Sequence, residues 1–276
     1  VWGDAYKVTF YNNGTETSVL VAQDTAIGSS RLPADPTRKG YIFVGWFSGD
    51  EKLSAETVID SDITYTAKWT PISYTIEFDP DGGEGTMDSI LAQYDEDVTL
   101  PGCSFTRAGY TFNGWSSYKG STSGTSAGET VKNLTDKNSG STKFYAAWKG
   151  LRVAVTVDPN YEGAEKTERT GIVGENYNCI VTDTSSKFAS IEDPKRTGYI
   201  FTGWFDAAEG GTEITTQYKF TADDAQNGVT LYAHWKKGIT VHFDGNGYKN
   251  TINDKTVTHD KVYSSLPYTS ESYYPA

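Results

Sequence analysis

The chain has 276 residues, 37% of them hydrophobic and 14% aromatic, with 19 Tyr, 7 Trp and 28 Gly. That apolar content does not fill one large core; it suits several small domains packed around a few big rings, since a domain of about 70 residues buries only roughly 60% of its unfolded surface. A formal net charge of -12 excludes the basic face that nucleic acid or anionic lipid needs, and no apolar run approaches the ~20 residues of a membrane helix.

In chain order, four β-rich runs open four units: "YKVTF" from Tyr6, "YTIEF" from Tyr74, "VAVTV" from Val153 and "ITVHF" from Ile239. Each alternates with period two, Val8 and Phe10 against Thr9 for example, as a half-buried strand does. "YNNG", "DPDGG", "DPN" and "DGNG" follow them and are expected to be hairpin turns. Next come the Pro-basic turns "DPTRKGY", "SFTRAGY" and "DPKRTGY". Any helix should lie just before these, and Pro33, Pro36, Pro101 and Pro194 limit it to a turn or so. Three octets follow, "GYIFVGWF" from Gly40, "GYTFNGWS" from Gly109 and "GYIFTGWF" from Gly198. After stretches of variable length and composition, three closing strands end in Trp: "YTAKW" to Trp69, "FYAAW" to Trp148 and "LYAHW" to Trp235.

The octet breaks the alternation. Tyr41 and Phe43 share a face, and strict alternation puts Trp46 on the opposite, wet one. A β-bulge at Gly45, Gly114 and Gly203 would shift the phase by one residue and turn each Trp inward, and glycine tolerates such a backbone. The expected structural core is therefore Tyr41, Phe43, Trp46 and Trp69; Tyr110, Phe112, Trp115 and Trp148; and Tyr199, Phe201, Trp204 and Trp235. The competing reading is an exposed ligand platform used three times.

These signals divide the chain into the tail of an upstream repeat (1–5), three modules (6–70, 71–149 and 150–236) and an incomplete fourth repeat (237–276). Trp2 stands as far before Phe10 as Trp235 does before Phe243, so it is expected to end a preceding unit. Only a few residues link each closing Trp to the next opening strand, which favours a semi-rigid row.

The pattern Y-x-V-T-F … P-x-R-x-G-Y-x-F-x-G-W … L-Y-A-x-W resembles the Listeria–Bacteroides repeat, also called the internalin B-repeat, from about Tyr6 to Trp235. The resemblance implies an α+β, mostly β fold: tandem small β-grasp-like modules with little helix, arranged as an elongated array along a bacterial surface or secreted protein. It implies no catalytic residues, and it suggests spacer or adhesive roles.

The residues add little chemistry of their own. No Ser/His/Asp, Cys/His or phosphate-loop motif is present, so no enzyme, catalytic residue, cofactor or metal site is expected. "DPDGGEG" (Asp79–Gly85) lacks the ligand alternation of a calcium loop. His234, His242 and His259 do not form a metal-ligand pattern, and Cys103 and Cys179 are expected to be buried thiols. The Ser/Gly-rich run Ser116–Gly128 is expected to be a mobile loop. The expected function is a structural spacer at the bacterial cell surface that presents a distal domain. The alternatives are an adhesin binding a host protein or glycan through its variable loops, and a surface-fibre subunit that shares strands with neighbouring copies of itself. Neither nucleic acid nor direct membrane insertion is expected.

Overall fold

The computed structural model describes residues 4–182, 187–243 and 254–257. These fall into two compact units, one of residues 4–106 with 112–148, the other of 107–111 with the described residues from 149 onward. Trp2, His259 and the Tyr-rich end with Tyr263, Tyr268, Tyr273 and Tyr274 lie outside the described residues, as does most of the segment 237–276 expected to begin a fourth repeat. In that segment, the strands Ile239–Val241 and Lys255–Val257 form an antiparallel pair.

The first unit contains two of the larger sheets. In the first, the opening strand Ala5–Asn12 pairs antiparallel with a second strand, Thr15–Ala22. It pairs parallel with the closing strand Ile63–Pro71, which pairs antiparallel with the octet strand Tyr41–Ser48. The sheet order is thus second, opening, closing, octet, followed by the short strand Glu51–Lys52. The second sheet repeats that order with Ile90–Gln93, Ser73–Asp79, Gly140–Gly150 and Tyr110–Ser116. The second unit has Thr167–Ile172, Arg152–Asp158, Val229–Lys237 and Tyr199–Phe205 in the same order, extended at one edge by Ile180–Thr182 and Lys187–Ala189. A parallel central pair flanked by antiparallel strands is a β-grasp-like arrangement. The parallel pair needs a long crossover, and here loop supplies most of it in place of a long helix.

Helix is scarce and falls in two different slots. A 3₁₀ turn, Ser29–Arg31, precedes the first octet. The α-helix Ala222–Asn227 instead lies between the third octet and its closing strand, not before the octet as expected. A capping box explains the place: the Thr221 hydroxyl accepts from Asp224 N while the Asp224 carboxylate accepts from Thr221 N.

The turns after the opening strands also divide. Asn13 (φ 46°) and Gly14 (φ 89°) close a two-residue turn between Asn12 and Thr15, as expected of "YNNG". "DPDGG" and "DPN" make no tight hairpin. Ladder pairing resumes only at Ile90, opposite Ile76, and at Thr167, opposite Val157. Proline there cannot donate to a ladder, and the preceding Asp turns its carboxylate onto a nearby backbone N–H: Asp79 accepts from Asp81 N and Asp158 from Asn160 N.

Each larger sheet buries one face. The first core gathers Val8, Phe10, Val21, Ile27, Trp46, Leu53, Ile59 and Tyr65. The second sheet buries Tyr74, Ile76, Leu100, Trp115, Phe144 and Trp148. The third gathers Val153, Val155, Val157, Val173, Trp204, Ile214, Phe220, Leu231 and Ala233.

Candidate functional site

The recurrent octet is the only constellation that the sequence singles out, and its geometry begins at glycine. In the first sheet the register runs Phe43 opposite Trp69, then Gly45 opposite Lys68, so one residue is extra. The third sheet has the same shift between Phe201 and Gly203. The backbone φ is 145° at Gly45, 107° at Gly114 and 150° at Gly203, a region that side chains with a Cβ rarely enter. Past the shift, Trp46, Trp115 and Trp204 keep only 8%, 1% and 3% of their surface exposed.

Phenylalanine links the two tryptophans of each unit. Phe43 meets Trp46 and Trp69 edge-on at 5.5 and 5.3 Å, Phe112 meets Trp115 and Trp148 at 4.9 and 6.2 Å, and Phe201 meets Trp204 and Trp235 at 5.1 and 5.8 Å. Such T-shaped contacts add to area burial. The closing rings differ in exposure: Trp148 is buried, while Trp69 and Trp235 are half-buried. Trp115 Nε1 donates to Pro101 O at 2.8 Å. Trp148 and Trp235 donate to the carbonyls of Pro80 and Pro159 at 2.8 and 2.7 Å. The Asp-Pro pair after the opening strand therefore anchors the closing indole, a role the sequence reading missed. Its signal was available: "DP" follows the second and third opening strands, while "NN" follows the first.

The tyrosines need a correction. The expectation places Tyr41 and Tyr110 in the cores of their own repeats beside the closing Trp. Tyr41 instead contacts Tyr94 edge-on at 5.8 Å and donates its hydroxyl to Asp95 at 2.5 Å, both beyond the second opening strand. Tyr110 packs against the core of the third sheet. The cause is position along the strand. Tyr41 pairs with Pro71, where the closing strand hands over to the next opening strand, so the same face has passed the end of its own core. Tyr199, opposite Lys237, is half-buried and lines an open groove of about 340 Å³ with Arg196, Phe201 and Trp235.

Three identical turns set these tyrosines. The N–H groups of Tyr41, Tyr110 and Tyr199 donate to the carbonyls of Arg38, Arg107 and Arg196 at 3.0–3.1 Å. Gly40, Gly109 and Gly198 have φ of 77°, 79° and 78°, the third position of a type II turn, which favours glycine. Each arginine lies over its tyrosine ring, at 3.7, 4.1 and 3.7 Å from the centroid.

The other candidates are accounted for by local contacts. Asp81 accepts from Gly120 N. The Ser116–Gly128 run is not a loose loop: it is tied to the octet by a bridge between Trp115 and Thr125, and Asn113 Nδ2 donates to Thr122 O at 2.7 Å. His234 stacks on Phe205 at 3.8 Å, and His242 faces Asp254 at 2.7 Å. Cys103 and Cys179 are unbonded to each other and half-buried rather than buried; desolvation pushes the Cys103 thiol up. Among the described residues no group of three or more His, Cys, Asp or Glu is placed to hold a metal ion. No helix among them is long and apolar enough to cross a membrane.

Successive sheets of one strand order, each with a Trp–Phe–Trp chain at its octet, define a repeat protein of small β units. The chain belongs to the Listeria-Bacteroides repeat domain family, whose model matches residues 6–70, 74–147 and 168–234. It is similar to a protein of Evansella cellulosilytica provisionally named a Gly-rich membrane protein, at 28% identity over 252 residues, 88% of this chain and 26% of that one. A second Evansella protein, provisionally named a membrane protein, is 28% identical over 254 residues, 89% of this chain and 34% of its own. Internalin H of Listeria monocytogenes is 35% identical over 127 residues, 44% of this chain and 22% of its own. The chain spans about a third or less of the length of the curated relatives it matches.

Proposed function

We propose that this chain is a spacer region of a bacterial surface protein, holding a distal domain away from the cell. The supporting observation is where the recurrent residues go. The octet, the most repeated stretch, spends its Trp and Phe on packing rather than on a shared outer surface. Wet-faced residues such as Thr66 and Lys68 fill the outer side of the closing strand. The membrane-protein and internalin names of the relatives support a surface location.

Adhesion through the variable loops is the second reading, favoured by Tyr118, which stands 78% exposed on the Ser/Gly-rich loop. An array of glycans and extracellular host proteins separates the two. A spacer gives no saturable binding. Saturable binding that is lost when residues 116–128 are replaced by a neutral loop would overturn the spacer reading in favour of adhesion.

A further inference from the structure

Beside the octet core, the structure holds a second recurrent arrangement, made by the Arg-x-Gly-Tyr turn and the chain that follows the closing strand. In the first unit, Ile72 N donates to Gly40 O at 3.0 Å and Tyr94 N donates to Ile72 O at 3.0 Å. In the second unit, Leu151 N donates to Gly109 O at 2.8 Å and Val173 N to Leu151 O at 3.0 Å. Gly238 N donates to Gly198 O at 2.8 Å, beginning the same pattern a third time. In each case the turn glycine's carbonyl takes the linker residue. In the first two, that residue's carbonyl takes the residue just past the next second strand.

Side chains close the arrangement. A Cβ at Gly40 would lie 2.3–2.4 Å from carbons of the Tyr94 ring, and one at Gly109 would lie 2.9 Å from Val173 and 3.0 Å from Ala222. The Tyr41 hydroxyl meets Asp95, whose backbone N–H and carboxylate also engage the Asn133 amide, at 2.6 and 2.8 Å. Arg38 lies over the Tyr41 ring. Gly40 and Gly109 are thus constrained twice, by a left-handed backbone and by a close neighbour, whereas Gly198 has only the backbone constraint.

We propose that the Arg-x-Gly-Tyr turn is an interaction surface whose partner is the following repeat, received at the exit of its second strand. By this joint the first two repeats unfold together rather than one by one. The surface recognises a backbone N–H one residue beyond the strand, with a side-chain acceptor such as Asp95 reinforcing it. The joint does not depend on the spacer role; a chain that adheres would carry it too.

Hydrogen exchange on the full chain tests this. Tyr41→Phe keeps the ring and removes the hydroxyl, and Asp95→Ala removes the acceptor; both sites are at the surface, so the fold should survive. Each variant is expected to speed exchange of the Ile72 and Tyr94 amides about five- to tenfold, the effect of losing one hydrogen bond. The double variant should add little to Asp95→Ala, because that change already removes the Tyr41 contact along with the Asn133 amide's acceptor. In the unaltered chain the slowest amides of the first two sheets should share one opening free energy, and the variants should separate them. Unchanged exchange at Ile72 and Tyr94 in both variants would overturn the joint. So would distinct opening free energies for the two sheets in the unaltered chain.

Discussion

At the scale of single residues, burial and hydrogen bonding give opposite expectations for two aromatic side chains. Trp115 is 1% exposed, touches Phe78, Phe105 and Phe112, and satisfies its N–H. Trp115→Ala should cost about 3–5 kcal/mol, read from urea unfolding. Tyr74 is fully buried, yet its hydroxyl has no hydrogen-bond partner among the described residues. Tyr74→Phe should leave stability unchanged or raise it by about 1 kcal/mol, because a desolvated polar atom is removed at little change of shape. A loss larger than that would show that the hydroxyl is satisfied. The positions of the tryptophans were legible in the sequence because alternation failed at one glycine in every copy. The outward reach of Tyr41 was not. Period-two reasoning puts it on the face of Phe43 but says nothing of where along a strand one core ends and another begins.

Among elements, the bulges and the one short α-helix carry the sharpest expectations. A Cβ at Gly114 would stand 2.6 Å from the backbone carbonyl of Gly124, at a φ of 107°. Gly114→Ala should therefore destabilise the first unit by more than the ~1 kcal/mol of an ordinary glycine replacement. Gly45→Ala meets mainly the flexible Lys52 side chain and should cost less. Thermal melts of the two variants, compared directly, decide this ordering. Thr221→Ala removes the hydroxyl half of the capping box and should cost about 1 kcal/mol. The opening, octet and closing strands follow from alternation, and the β-grasp-like class from the family resemblance; the order of strands in each sheet was not read from either. The helix was missed because six residues show no helical period, although Thr221 and Asp224 already spelled its cap. The Pro80 and Pro159 anchors were missed because an Asp-Pro pair reads as a turn before it reads as an acceptor for a distant indole.

For the whole molecule, the joint makes stability depend on pH. Hydrogen bonds from Tyr41 and then Asn133 hold the Asp95 carboxyl below the usual carboxylate range, with Arg38 and Lys132 helping. A depressed folded value means that this contribution is present above the unfolded value and is lost as pH falls through the carboxylate range. Tyr41 is pushed up, chiefly by its hydrogen bond to Asp95, with Arg38 opposing. Its contribution is present below the ordinary phenol value and is lost as pH rises past it. Urea midpoints of the first unit should fall between about pH 6 and about pH 3, and Asp95→Ala should lessen that fall. An identical slope in the variant would remove Asp95 from the joint.

The claim beneath all of this is that the indoles following the bulge glycines are shut away from water. Fluorine NMR of the chain labelled with 5-fluorotryptophan, recorded in H₂O and in D₂O, measures that directly, with single Trp→Phe variants giving the assignments. The signals of Trp46, Trp115 and Trp204 should show almost no solvent isotope shift. Shifts at these three as large as that of the free amino acid would place the rings on the surface and contradict the core.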